Sequence, residues 1–167
     1  RQVSTAPAFF IGWVFGMGQF GFGVSWIAES FYVDAERFGA LAIPAVAGLS
    51  AGLAIFPGMA AMLFAAIMQR RAFGGIAAGL LFATCWVVTE WLRGHILTGF
   101  PWNLAAYALV DYAALRQPAA WVGSYGLGFL TVFIGILPGV LTVAAPKRRA
   151  PVLVLFAVAV AGFWVGG

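Results

Sequence analysis

The sequence predicts an all-α integral membrane protein, built as a bundle of about five transmembrane helices with a long aromatic loop. Of its 167 residues, 63% are hydrophobic and only 8% are charged, whereas soluble domains carry about 25% charged residues. The mean hydropathy is +1.00, and the charges separate long uncharged runs. Since a helix needs about 20 apolar residues to cross the hydrocarbon core, each of these runs is a candidate span.

The first two predicted helices cover roughly residues 6–28 and 41–69, with a polar connection at 29–37 between them. The first helix is rich in glycine, and Gly12 and Gly16 have the GxxxG spacing that lets helix backbones approach closely in lipid. We interpret these glycines as packing residues. Pro57 is expected to kink the second helix, because proline lacks the backbone N–H of a helical hydrogen bond.

The remaining predicted helices cover roughly residues 72–97, 119–145 and 150–167, the last being just long enough to span. Residues 98–118, between the third and fourth helices, form a mostly apolar loop rich in aromatic residues. Parts of this loop are expected to be re-entrant or to lie in the membrane interface.

The charges predict how the chain crosses the membrane. Six basic residues and no acid fall on one side, whereas the other side holds three arginines and all five acids. The positive-inside rule places the six-basic side in the cytoplasm, and residues 90–118 and the C-terminus on the opposite face. The same rule explains the sequence pI of about 9.8 better than nucleic-acid binding does. The six basic residues are Arg1, Arg70, Arg71, Lys147, Arg148 and Arg149.

The most polar stretch, residues 90–107, is the first candidate for a functional site. Glu90 and Arg93 are three residues apart, so they share a helix face and can form an ion pair. The helix pattern then breaks at Gly99 and Pro101, with tryptophans, which favour the lipid headgroup level, on both sides. Two interpretations stay open. The pair could pin the helix end, or Arg93 could offer its donors to a headgroup phosphate or carboxylate.

Other reactive residues give no catalytic arrangement. Cys85 is expected to be an inert packing residue, since its apolar surroundings disfavour a thiolate. His95 lies on a different face from Arg93 and has no evident partner in the sequence. We find no metal-ligand cluster, no Ser-His-Asp pattern and no convincing phosphate-binding glycine loop, Gly126 and Gly128 being a weak match. We therefore predict no cofactor, no metal site and no complete enzyme in this chain.

Three strings resemble a known family. EWLRG at 90–94 followed by TGFPW at 98–102, with GFGVSW at 21–26, resembles the membrane region of bacterial apolipoprotein N-acyltransferases. The resemblance covers essentially the whole chain. It implies a multi-pass enzyme of the bacterial inner membrane with residues 90–118 and the C-terminus on the periplasmic side. Such an enzyme moves an acyl chain from a phospholipid to the N-terminal cysteine amine of a diacylglyceryl-modified lipoprotein.

The resemblance also implies a nitrilase-like periplasmic domain that supplies a Glu-Lys-Cys triad. That domain is absent from this chain, whose only cysteine and only lysine, Cys85 and Lys147, stand in the wrong places. We therefore expect a piece of a longer polypeptide, with the catalytic domain in cis. The family's loop, here Thr98–Trp121, would be a mobile arm. His95 stands where relatives often have an aromatic residue.

The residues that the resemblance assigns to the lipid site are few. Arg93 and Trp102 match by position, with Arg93 engaging a headgroup and Trp102 and Phe100 lining the acyl entrance. The full set of predicted lipid-binding residues is Arg93, Trp102, Phe100, Pro101, Glu90 and Trp26.

Two other functions stay open. One is a catalysis-free lipid-binding or scaffold membrane domain, including an anchor for a glycosyltransferase. The other is a small transporter, which is disfavoured because transport needs polar groups at membrane mid-depth, whereas Glu90 and Arg93 lie at a helix end. The expected partners are a phospholipid, a lipoprotein and membrane lipids, with no nucleic acid.

Overall fold

The computed structural model describes residues 4–71, 73–143 and 149–165, and helices account for most of them. No strand occurs in these three ranges, which confirms the all-α prediction. Short 3₁₀ helices cover Ser25–Ile27, Gly39–Leu41 and Ala105–Leu109. The α-helices are α1 (Thr5–Gly23), α2 (Ala28–Tyr32), α3 (Ala35–Phe38), α4 (Ala42–Leu53), α5 (Ile55–Arg70), α6 (Ile76–His95), α7 (Ala113–Arg116), α8 (Ala119–Val143) and α9 (Arg149–Val165).

Three helical stretches among the described residues are long and apolar enough to cross a membrane. They are Ala35–Arg70, Ile76–His95 and Ala119–Thr142, and the number becomes four if Thr5–Gly23 and Ser25–Tyr32, bent by 50°, form one span. The predicted fifth span corresponds to α9, of which the structure describes 17 residues, and α9 is not among the stretches that qualify as spans in the described part of the chain. The predicted count of five is therefore not confirmed.

The first predicted helix, 6–28, ends earlier than expected. The α-helix stops at Gly23, and a turn at Val24 leads into the 3₁₀ helix Ser25–Ile27. The Ser25 hydroxyl donates a hydrogen bond to the Phe22 carbonyl oxygen at 2.9 Å. A serine that bonds nearby backbone in this way competes with helix continuation. Apolar length alone therefore overestimated this helix by five residues.

The second predicted helix, 41–69, is broken between α4 and α5. The break lies at Ala54, three residues before Pro57. A proline ring collides with the carbonyl four residues earlier and cannot bond to it, which places the disturbance at Leu53 and Ala54. The bonds from Ala54 N to Ser50 O and from Gly58 N to Ala54 O, 2.8 and 3.1 Å long, continue on either side. The helix is thus interrupted three residues before Pro57, while the stretch Ala35–Arg70 still counts as one span, and the predicted kink stays a prediction.

The later helices differ from the predictions mainly at their ends. The third begins at Ile76 rather than 72, after Gly75 with φ of +56°, and it ends at His95 rather than 97. The fourth matches α8, but Gly123 inside it is non-helical with φ of +69°. The predicted positions 144–145 and 166–167 lie outside the described residues.

The chain divides into two compact units, Arg1–Ala66 and Ile67–Gly167. In the first unit, α1 buries one face at every fourth residue: Ala8, Gly12, Gly16 and Phe20. A Cβ on Gly12 would lie 2.5 Å from the Pro57 carbonyl oxygen, and one on Gly16 would lie 2.9 Å from Ala54 Cα. This contact confirms that the two glycines are packing residues.

In the second unit, α8 packs against α6, α9 and the 3₁₀ helix Ala105–Leu109. Two apolar clusters hold these elements together: Leu104, Ala106, Leu109 and Leu127 form one, and Leu137, Val140 and Val152 form the other. Part of the predicted aromatic loop is therefore folded into helical turns and packed on α8. This packing brings the loop alongside the end of α6.

Candidate functional site

The candidate site is the corner where α6 ends and the chain turns back. Ile96 is extended, and Leu97 and Gly99 have φ of +56° and +72°, so the helix cannot continue. The Phe100 N–H donates to the Arg93 carbonyl at 2.8 Å, which returns the chain to the last turn of α6. A Cβ on Gly99 would lie 2.6 Å from the Gly94 carbonyl oxygen, so glycine is required there.

Two charged side chains are buried at this corner. Glu90 and Arg93 are 4% and 3% exposed, and Arg93 Nη2 lies 3.6 Å from Glu90 Oε1. The predicted ion pair is therefore present. A buried pair of this kind is sustained only if further hydrogen bonds satisfy both charged groups.

The loop backbone supplies those hydrogen bonds. Arg93 Nη1 donates to the carbonyl oxygens of Phe100 and Trp102 at 2.7 and 2.6 Å. In return, the Ala105 N–H donates to Glu90 Oε1 at 2.9 Å. We call Glu90, Arg93 and the three backbone groups of Phe100, Trp102 and Ala105 the polar clasp. Its effect is to fix residues 100–105 against α6.

The second carboxylate oxygen of Glu90 is less well paired. Within the described part of the chain, Oε2 accepts no hydrogen bond of ordinary geometry, although the Trp86 side chain one turn earlier interacts with the carboxylate. A Cβ on Gly128 of α8 would lie 3.2 Å from this oxygen, so the glycine leaves room for the carboxylate.

The clasp determines where the aromatic residues of the loop lie. Trp102 is half-exposed, Phe100 is partly buried, and their ring centroids are 5.8 Å apart. Pro101 Cα lies 3.8 Å from the position of a Cβ on Gly94. The structure therefore brings five of the six predicted site residues together. The sixth, Trp26, is half-exposed in the first unit, and its part in the site stays a prediction.

His95 has partners that the sequence analysis missed. Its Nδ1 lies 2.8 Å from the Trp91 carbonyl oxygen, and its ring stacks on the Trp91 ring at a centroid distance of 4.3 Å. The Tyr125 ring of α8 lies 6.0 Å from the imidazole. The spacing of four residues between Trp91 and His95 was the available signal, because such residues are neighbours on a helix. Nothing in the sequence indicated Tyr125, Gly128 or the Ala105 amide.

The arrangement buries charge and presents aromatic rings. Cys85 is buried in the middle of α6, as expected for a packing residue. Residues 4–71, 73–143 and 149–165 contain no group of three or more His, Cys, Asp or Glu side chains that could hold a metal ion. What the corner offers chemically is a fixed loop backbone with exposed rings beside it.

Comparison with known proteins gives consistent matches. Residues 1–137 match a family described as the apolipoprotein N-acyltransferase N-terminal domain. Among similar proteins named apolipoprotein N-acyltransferase, that of Caulobacter vibrioides is 45% identical over 139 residues, which cover 83% of this chain and 26% of that protein. The Brucella suis protein is 42% identical over 159 residues, or 94% of this chain and 29% of that protein. The chain therefore spans about a quarter of the length of these curated relatives.

Proposed function

Because this chain belongs to the apolipoprotein N-acyltransferase family, we propose that it is the membrane domain that binds the two lipid substrates of such an enzyme. The acyl donor is a phospholipid, and the acceptor is a diacylglyceryl-modified lipoprotein whose N-terminal cysteine becomes N-acylated. The apolar helices support this proposal, since both substrates are held in a bilayer and must enter from it.

On this proposal, the chain binds substrates and another part of the same polypeptide carries out acyl transfer. Its share of the relatives' length, about a quarter, leaves room for a nitrilase-like domain with a Glu-Lys-Cys triad. The burial of Cys85 inside α6 supports this division, because a nucleophilic thiol must be accessible. On the same proposal, the enzyme lies in the bacterial inner membrane, with residues 90–118 and the catalytic domain on the periplasmic side.

The polar clasp is the observation that carries the proposal. Arg93 holds the carbonyl oxygens of Phe100 and Trp102, so the loop backbone is fixed while the Trp102 ring remains half-exposed. A half-exposed tryptophan in the loop that follows a membrane helix suits the headgroup level of a bilayer. Trp102 and Phe100 then line the acyl entrance. Arg93 positions this entrance through its carbonyl bonds, and its direct contact with a headgroup stays a prediction.

Replacing Trp102 with Ala in the full-length enzyme tests this role. We expect acyl transfer to slow about tenfold, since a lost contact worth about 1.4 kcal/mol in the transition state changes a rate by that factor. The measurement is the initial rate in proteoliposomes that contain phospholipid and a diacylglyceryl lipopeptide. Thermal unfolding of the variant should match that of the wild type.

Tyr32→Ala is the matched control, since Tyr32 and Trp102 are both 50% exposed. Its rate should equal that of the wild type. Unchanged turnover of Trp102→Ala would remove Trp102 from the site. A full-length protein that binds both lipids but transfers no acyl chain would instead favour the scaffold alternative.

A further inference from the structure

We propose that the C-terminal end of α6 carries a binding site for a primary ammonium group, formed by His95 with the rings of Trp91 and Tyr125. Trp91 and His95 are not members of the polar clasp, whereas Tyr125 also packs on the loop cluster and interacts electrostatically with Arg93. The contacts among these three residues involve a different set of atoms from those that hold the loop.

The hydrogen bond of His95 fixes which ring nitrogen is free. A carbonyl oxygen can only accept, so the Nδ1 that lies 2.8 Å from the Trp91 carbonyl must carry the hydrogen. In the neutral imidazole, the lone pair is then on Nε2. No partner of Nε2 is found among the residues that the structure describes, and the His95 side chain is exposed. The corner thus presents a fixed and accessible hydrogen-bond acceptor.

The surroundings of this acceptor favour a cation. The C-terminal end of a helix carries a negative partial charge, and α6 is 20 residues long. The Trp91 ring is stacked on the imidazole at 4.3 Å, and the Tyr125 ring is 6.0 Å away. The two rings therefore make the neighbourhood of the imidazole aromatic, and aromatic faces attract a cation that comes within about 6 Å of the ring centroid. Arg93, two residues before His95, is buried against Glu90 and directed to the loop carbonyls.

A primary ammonium group matches all of these features. It can donate an N–H to the lone pair on Nε2 while its charge rests beside the rings and the helix end. A trimethylammonium group has the charge but no N–H, and a phosphate oxygen would meet another acceptor. Two sources supply a primary ammonium: the ethanolamine headgroup of a phospholipid and the α-amino group of a lipopeptide. The identification of these two molecules as the acyl donor and the acyl acceptor rests on the proposed function, whereas the ammonium site itself does not.

The first arm of the test uses the full-length protein in vesicles of equal parts phosphatidylethanolamine and phosphatidylcholine. The two lipids differ in the methyl groups on nitrogen, so the preference reports the N–H group. Native mass spectrometry of the protein with its retained lipids should show several-fold enrichment of phosphatidylethanolamine. His95→Phe keeps an aromatic ring beside Trp91 but removes the acceptor. In this variant the ratio of retained phosphatidylethanolamine to phosphatidylcholine should fall close to one. Phe22→Leu, at an exposed aromatic residue of α1, should leave it unchanged.

The second arm compares a diacylglyceryl peptide that has a free α-amino group with its N-acetylated form. We expect His95→Phe to weaken binding of the free-amine peptide several-fold and to leave the acetylated peptide unaffected. If His95→Phe loses the preference for phosphatidylethanolamine, the site binds the lipid headgroup. If His95→Phe loses the preference for the free-amine peptide, the site binds the peptide amine.

The proposal is overturned if the protein with His95 intact prefers neither phosphatidylethanolamine nor the free amine, a result that needs no His95 variant to fold. It is also overturned if folded His95→Phe protein keeps both preferences. Both arms use full-length protein in which the triad cysteine of the proposed nitrilase-like domain, outside this chain, is replaced by Ala. They therefore measure binding without acyl transfer and stand apart from the acyl-transfer assay of Trp102→Ala. Failure of one set of experiments therefore does not imply failure of the other.

Discussion

The two units of the chain hold their helices together by opposite means. In Arg1–Ala66, α1 meets the start of α5 through Gly12, Gly16 and small neighbours, with backbone atoms in close approach. In Ile67–Gly167, the end of α6 holds its loop through a buried ion pair and charged hydrogen bonds. Close backbone packing tolerates no added atom, whereas a buried charge tolerates no missing partner. This difference determines which substitutions each unit should resist.

The largest effect is expected from Arg93→Ala. The substitution leaves the buried Glu90 carboxylate without its counter-charge and removes the donor to the carbonyls of Phe100 and Trp102. Breaking a buried pair in this way costs about 3–5 kcal/mol. We expect the free energy of unfolding of the full-length protein in detergent to fall by that amount.

A double variant serves as the control for Arg93→Ala. Glu90→Gln combined with Arg93→Met removes both charges, so it should recover part of the lost stability. If Arg93→Ala alone unfolds like the wild type, the ion pair does not stabilise the corner. The unfolding free energy of Arg93→Lys should lie between those of the wild type and Arg93→Ala. Lysine keeps the positive charge, but a single ammonium cannot reproduce the planar guanidinium that reaches both carbonyls.

A smaller effect is expected from Gly12→Ala in the first unit. The new Cβ would lie 2.5 Å from the Pro57 carbonyl oxygen, so α1 must move away from α5. Overpacking of this kind costs about 1–3 kcal/mol. The matched control is Gly18→Ala on the same helix, where no atom lies within 4 Å of the new Cβ. Equal unfolding free energies for the two variants would contradict the close packing of α1.

The smallest effect is expected from Trp13→Phe. The Trp13 Nε1–H donates to the Ala51 carbonyl at 3.0 Å, which joins α1 to α4. Hydrogen bonds between helices in a membrane contribute about 0.6 kcal/mol on average, and phenylalanine keeps a ring that can contact Phe10. If Trp13→Phe lowered the free energy of unfolding as much as Arg93→Ala does, the Trp13 indole would have to stabilise the protein by more than this hydrogen bond.

The positions of the helices could be predicted from the sequence better than their ends. The length of an apolar run can be read directly from the sequence. For this reason, most of the predicted helices correspond to helices in the structure. The ends depend on local backbone conformation and side-chain bonds, such as the Ser25 bond to Phe22 and the positive φ of Gly75 and Leu97. Hydropathy carries no information on these features. The sidedness inferred from the basic residues stays a prediction.

The site could be predicted only in its helical part. The Glu90–Arg93 pair follows from helix geometry, because residues three apart are neighbours on the surface. The Ala105 amide and Gly128 complete the surroundings of Glu90 from a loop and from another helix. Such partners depend on how the chain folds back, which no pattern within α6 indicates. For the same reason, no sequence pattern indicated that Tyr125 of α8 lies beside His95.

The polar clasp also bears on the order in which the protein assembles during synthesis. Its hydrogen bonds join residues only 7, 9 and 15 positions apart. Closing loops this short costs little chain entropy, and contacts between nearby residues form faster than distant ones. The clasp can therefore close once residue 105 has been made, before α8 is available. The corner then serves as a preformed surface on which the later helix folds.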